Sequence, residues 1–216
     1  MLISWNGSMF EYLMPRLLLK PDTGTLLGES ERMVVDVQER YGQAQSVPWG
    51  ISESAYSARD PEHRYRYQGF GVPELGLKRG LSRDMVVAPY ATALALAVAP
   101  KKAVANLRLL TRSGGSGRYG LVEALDFTPD RSPGSGPRTV NAYMAHHQGM
   151  LLSAIVNALF SDRFASRFAE DPRMRPTMLL LSERVPREIP PEIDRLADRT
   201  ISMVRGTPVT LPASWQ

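Results

Sequence analysis

A chain of 216 residues, 43% hydrophobic and 22% charged, can bury one proper core but is too short for two comfortable ones. It has no cysteine, which excludes disulfides, thiolate metal sites and cysteine nucleophiles. The net charge of +4 comes from arginines interleaved with acids, as with Arg32, Arg40, Arg59 and Arg64 among Glu29, Glu31, Asp36, Glu39 and Asp60. That pattern is a solvated mixed surface rather than a nucleic-acid arm. The longest apolar run, Ala91–Ala99 broken by Thr92, is about half the roughly 20 residues of a membrane span. Met1-Leu-Ile-Ser-Trp5 offers no signal-peptide start.

In chain order, Met9–Met14 predicts a short helical turn stopped by Pro15, and Lys20–Gly24 a turn. Val34, Val37 and Tyr41 lie on one face of a helix over Ser30–Tyr41, with Gly42 at its C-terminus. Gln43–Gly80 holds five glycines, three prolines and five aromatics without a sustained period, the composition of a structured and functional loop region. Pro89 can start a helix running to Val98, whose alternating alanines suit close helix packing. Lys101–Arg112 resumes with Val104, Leu107 and Leu110 as its stripe, and Ser113–Gly117 breaks it. Asp130–Pro137 is a loop, and Thr139–Phe160 predicts a long buried helix carrying Val140, Met144, His147, Leu151, Ile155 and Leu159 on one face. Phe164 and Phe168 pair on a further short helix, and Met174–Glu183 forms the last one. Strands are scarce in this reading, so the fold class is mainly α. Residues 1–186 form the domain, and 187–216 are a linker or irregular tail rich in proline.

Three glycine-aromatic segments each carry a lone carboxylate: Trp5–Tyr12 with Glu11, Val47–Tyr56 with Glu53, and Gly117–Ala124 with Glu123. Glycoside hydrolysis needs two carboxyl groups flanking the bond and aromatic rings to stack on sugars, and these segments supply both residue types. Each has a plainer reading. Glu53 reads equally as a surface charge or helix cap, Glu11 as a buried ion pair with Arg16 or Arg79, and Asp126 competes with Glu123. Adjacent helical residues point about 100° apart, so His146-His147 does not form a metal site. One histidine fits the core, and the other, with Gln148, fits hydrogen bonds to sugar hydroxyls.

Taken in order, six motifs of the region 4–186 resemble the glucoamylase-like region of the cyclic β-1,2-glucan synthases. They are Ser4–Pro15, Pro48-Trp-Gly-Ile-Ser-Glu-Ser-Ala-Tyr56, Phe70–Gly80, Val87-Ala-Pro-Tyr-Ala-Thr-Ala93, Gly117-Arg-Tyr-Gly120 with Glu123-Ala-Leu-Asp126, and Met144-Ala-His-His-Gln-Gly-Met150. More distantly the chain is similar to bacterial endo-β-1,2-glucanases. The resemblance implies part of an (α/α)6 toroid with long aromatic, Gly/Pro-rich loops, and transglycosylation that cyclises linear β-1,2-glucan. It implies no cofactor or metal.

In this resemblance Glu53 is the expected catalytic carboxylate, with Glu11 and Glu123 as supporting carboxylates. Trp5, Trp49, Tyr56 and Tyr67 are expected to stack on sugar, and Asp126, His146, His147 and Gln148 to bind it. The synthases are long membrane proteins, so the resemblance also implies that this segment belongs to a larger, inner-membrane-associated glucan synthase whose remaining parts are its partners. An incomplete toroid, acting alone, is expected to handle glucan poorly. The alternative is a non-catalytic glucan-binding or assembly module.

Overall fold

A computed structural model describes residues 1–134 and 136–184. The expected tail at 187–216 lies outside the described residues. Helices dominate: α1 (Met9–Leu13), α2 (Leu26–Ala44), α3 (Pro89–Leu94), α4 (Pro100–Leu110), α5 (Ala145–Leu159), α6 (Arg163–Glu170) and α7 (Met174–Met178). Among the described residues seven short strands accompany them: β1 (Ser54–Arg59), β2 (Tyr65–Gln68), β3 (Val86–Val87), β4 (Ser116–Gly117), β5 (Gly120–Leu121), β6 (Ala124–Asp126) and β7 (Arg138–Val140). All pairings are antiparallel, as the hairpin β1-β2, the sheet β3-β6-β7 and the small hairpin β4-β5. A bridge from Ile51 to Val87 ties the loop before β1 to the edge of the three-stranded sheet. Among the described residues no helix is long and apolar enough to cross a membrane.

Helix α3 is the centre of the unit. Pro89 occupies its first position, where a missing N–H costs nothing, and all six of its residues are buried. Its alanines let α1, α4 and α5 pack closely around it. Helix α2 starts earlier than the apolar stripe predicts, because Thr25 caps it by accepting from the Gly28 amide. It also runs past Gly42. That glycine does not end the helix: a Cβ there would lie 2.9 Å from the Val47 carbonyl oxygen and 3.2 Å from the Trp49 side chain, so it serves the close passage of the returning chain.

Four expectations need correcting. The segment Thr139–Phe160 is two elements, since Val140 pairs with Ala124 in the sheet and the helix begins only at Ala145. The face of α5 that turns inward carries His147, Ala154 and Asn157, and Leu159 is exposed. On α4 the buried positions are Ala103, Asn106 and Leu110 instead of Val104 and Leu107, because Asn106 is drawn in by the Trp49 backbone. Strands are more numerous than expected. At two to six residues each, they are too short for alternation to show in the sequence.

Two buried features of this frame predict stability. Gly50 has φ +116°, and a Cβ added there would sit 2.5 Å from Thr92 Oγ1. Gly50→Ala should therefore lower unfolding free energy by roughly 2–4 kcal/mol, read as a lower denaturant midpoint at unchanged m. Glu31, on the inner face of α2, sits 4.0 Å from Arg16 and keeps one carboxylate oxygen without a partner. Burial pushes its carboxyl up to about 7, against the opposing charges of Arg16 and Arg32. Because the folded value is raised, its contribution is most favourable below the unfolded carboxylate range and is lost as pH rises through about 7. Glu31→Gln removes that dependence. Relative to the parent, the variant should gain stability between pH 4.5 and 8, on the order of 2–3 kcal/mol, as followed by chemical unfolding at each pH.

Candidate functional site

The loop Trp49–Glu53 is built from the backbone outward. The side-chain amide of Gln38, on α2, accepts from the Gly50 and Ile51 amides and donates to the Ile51 carbonyl at 2.9 Å. Asn106 donates to the Trp49 carbonyl at 2.7 Å and accepts from its amide, and Thr92 donates to the same carbonyl. The Ala88 amide donates to the Gly50 carbonyl, and the Met9 amide to that of Ile51. Ser52 accepts from the Phe10 amide and bonds the Tyr90 hydroxyl at 3.0 Å. Tyr90 in turn donates to the Glu53 carbonyl at 2.8 Å. Glu53 thus leaves a fully anchored backbone at the start of β1.

Its side chain is half-buried, and Tyr67 from β2 donates to its Oε1 at 2.8 Å. The Tyr67 hydroxyl is also 3.4 Å from His147 Nε2. His147, fully buried on α5, contacts Glu123 Oε1 through Nδ1 at 2.8 Å. The Ala55 amide donates to the same Glu123 oxygen at 3.1 Å, while Oε2 has no partner. The His147 ring stacks on Tyr90 with centroids 3.8 Å apart and planes 9° from parallel, and His146 lies against it at 4.0 Å. Burial first, then the bond to Glu53 and the charges of Glu53 and Glu123, hold the Tyr67 phenol well above its usual range. Burial does the same for Tyr90. Both rings therefore stay neutral and serve as hydrogen-bond donors.

The arrangement brings together Glu53, Tyr67, His146, His147 and Glu123, and leaves the other expected residues apart. Glu11 faces its own chain: the amides of Asn6 and Ser8 and the hydroxyls of Ser4 and Ser8 all donate to its carboxylate. Ser8 caps α1 in return, completing a capping box. Burial opposes its ionisation, but these donors outweigh it and hold its carboxyl below the usual range. The same balance holds for buried Asp126, whose partners are Arg131, Ser57 and Thr128.

Trp49 is buried and lines a different depression, with Lys102, Asn106 and Leu109. Tyr56 is packed edge-on to Phe70 beneath Arg131, and Trp5 is exposed on the N-terminal turn. Gln148 donates to the Leu121 carbonyl. Next to His146 opens an apolar groove of about 400 Å³, lined by Phe10, Met14, Met150 and Phe164 among others. No cluster of three potential metal ligands occurs among the described residues. Tyr90, Ser52 and Gln38 were not singled out by the sequence. Tyr90 and Ser52 lie inside quoted motifs, whereas Gln38 reads as one more polar residue on a helix.

Tyr90→Phe keeps the ring on His147 and removes the donor to the Glu53 carbonyl. It should cost about 1–2 kcal/mol in chemical unfolding, because a buried carbonyl and the Ser52 hydroxyl each lose a partner.

Residues 1–168 match the Glycoamylase family, described as "Putative glucoamylase". The chain is 47% identical over 190 residues, 88% of its length, to the cyclic beta-(1,2)-glucan synthase NdvB of Rhizobium meliloti (strain 1021), and it spans 7% of that protein. Among solved structures it is similar to a protein of Bacteroides fragilis NCTC 9343 described as a "putative glucoamylase", with 20% identity, 82% of this chain, 40% of that one and a TM-score of 0.58. It is also similar to the endo-beta-1,2-glucanase of Chitinophaga pinensis, in a complex with sophorotriose and glucose, with 17% identity, 82% of this chain, 41% of that one and a TM-score of 0.55. The chain thus spans well under half of the relatives it matches, and it shares their fold. With more than three-quarters of its residues inside the family match, this chain belongs to the Glycoamylase family.

Proposed function

We propose that this chain is a carbohydrate-active domain that handles β-1,2-glucan, with Glu53 as the general acid at a glycosidic oxygen. A relative named as a cyclic β-1,2-glucan synthase and a structural relative named as an endo-β-1,2-glucanase support the substrate class. The observation that carries the residue assignment is the environment of Glu53. Of the three candidate carboxylates it alone is partly open without being saturated by donors of its own turn, and it is held in place by a neutral donor, Tyr67. Glu11 is saturated by local donors, and Glu123 is buried behind His147. Tyr67 and His146, both exposed beside Glu53, are the surfaces offered to a sugar ring or its hydroxyls.

The reaction we infer is cleavage or transglycosylation of the β-1,2 linkage, leading in a longer protein to ring closure, and the helices are read as part of an (α/α)6 toroid. The second carboxyl group that such chemistry needs would come from the part of the fold that the longer relatives possess. In the same reading, the remaining parts of a membrane-bound glucan synthase are the partners. The burial of Glu123 behind His147, which leaves it closed to a ligand beside Glu53, favours a second reading, a glucan-binding or assembly module without turnover of its own.

Glu53→Gln separates the two. The enzyme reading expects turnover of linear β-1,2-glucan to fall by at least about 100-fold, while calorimetric binding of the glucan is retained. Unchanged turnover in an active parent would sink the assignment of Glu53.

A further inference from the structure

We propose that Tyr67 is a proton link between Glu53 and the buried His147–Glu123 pair, so that Glu53 exchanges its proton with His147 inside the protein. The proposal rests on the reading of Glu53 as the acid, and Tyr67 acts in it as a positioning residue for Glu53.

The hydrogen positions follow from the acceptors. Glu123 Oε1 accepts from the Ala55 amide, so it is not the protonated oxygen, and the hydrogen between it and His147 belongs to Nδ1. His147 Nε2 then faces the Tyr67 hydroxyl at 3.4 Å, and that hydroxyl faces Glu53 Oε1 at 2.8 Å. The four groups form one chain with two arrangements of the same hydrogens.

In the first arrangement Glu53 is a carboxylate accepting from Tyr67, and His147 carries hydrogen on both nitrogens, giving the one on Nε2 to the Tyr67 oxygen. In the second, the Nε2–H bond has broken and that proton is on Tyr67, while the former Tyr67 proton has formed an O–H bond on Glu53. Glu53 now donates to the Tyr67 oxygen, and Tyr67 donates to a neutral His147. One proton has moved in net, the total charge is unchanged, and no oxidant or reductant takes part. Tyr67 never becomes a phenolate, in keeping with burial and two neighbouring carboxylates that oppose its ionisation.

A histidine serving only as core packing would need no such register. Here the ring plane of His147 is fixed by stacking on Tyr90, whose hydroxyl donates to the Glu53 carbonyl, and Glu123 is anchored to the amide of Ala55, two residues beyond Glu53. Both ends of the chain are thus tied to one stretch of backbone. The titratable groups facing it are Glu53 just before β1, Tyr67 from β2, Tyr90 from α3, Glu123 before β6, and His146 and His147 from α5.

The test is a double-mutant cycle on the full chain with 15N-labelled histidine, following the ring nitrogens of His147 against pH. Glu53→Gln should move the His147 midpoint by about half a pH unit or more when Tyr67 is present, and by much less in a Tyr67→Phe background. An equal shift in both backgrounds would mean coupling through space and would overturn the link, as would no shift in either. Tyr67 is 41% exposed, so the phenylalanine variant is expected to fold. If its backbone amide spectrum shows otherwise, the parent decides alone: the Glu53 carboxyl carbon and His147 Nε2 must then titrate with a shared midpoint, and separate midpoints overturn the proposal. Turnover of linear β-1,2-glucan is measured in parallel, with kcat expected to fall about 10- to 100-fold in Tyr67→Phe at similar KM. A parent that neither turns over nor binds linear β-1,2-glucan sinks the sugar reading and leaves the nuclear magnetic resonance cycle standing, whereas a flat cycle sinks the link whatever the turnover.

Discussion

The bidentate grip of one buried amide, that of Gln38, on the backbone at Gly50 and Ile51 is the constraint from which the rest of the site follows. A loop of this irregular shape cannot satisfy its own peptide groups, and a buried unpaired peptide group costs about as much as a lost hydrogen bond. Gln38 on α2, Thr92 on α3 and Asn106 on α4 answer that need from three sides. The same bonds dock the helices to one another through the loop between them. Packing and site geometry are here a single problem, solved by buried polar side chains that would be expensive anywhere else.

That solution explains what could be read from residue pattern alone and what could not. The short helix before Pro15 and the start of α3 at Pro89 were legible, because proline acts locally, whereas the aromatic stretch read as loop holds the β1-β2 hairpin. Gly42 misled because a glycine near a helix end usually signals a stop, whereas here its missing side chain makes room for Val47 and Trp49, five and seven residues further on. The stripe on α4 was misread because Asn106 counts as polar in any periodicity, yet it is buried by its bonds to Trp49. Glu11 was an ambiguous carboxylate in an apolar run. Its spacing from Ser8 is that of a capping box, and the structure forms one.

At the candidate site the sequence named most of the participants but not their grouping. Glu53, Glu123 and His147 are separated by long stretches of chain, and only the pairing of β1 with β2, and the packing of α5 on α3, places Tyr67 and His147 beside the carboxylate. Their roles follow from burial. The same residue type is a cap at position 11, an ion-pair partner against Arg16 at position 31 and a partly open carboxyl group bonded by Tyr67 at position 53, and no local composition distinguishes the three.

The stacking of His147 on Tyr90 has a consequence for how this site can vary. The ring of Tyr90 sets the plane of the imidazole, while its hydroxyl holds the carbonyl of Glu53. A change at position 53, 67, 90, 123 or 147 therefore alters the setting in which the other four are judged, and effects of substitutions among them should be strongly non-additive. The five positions are thus physically one unit, which a single substitution can break but which can be rebuilt in another form only when several of its members change together.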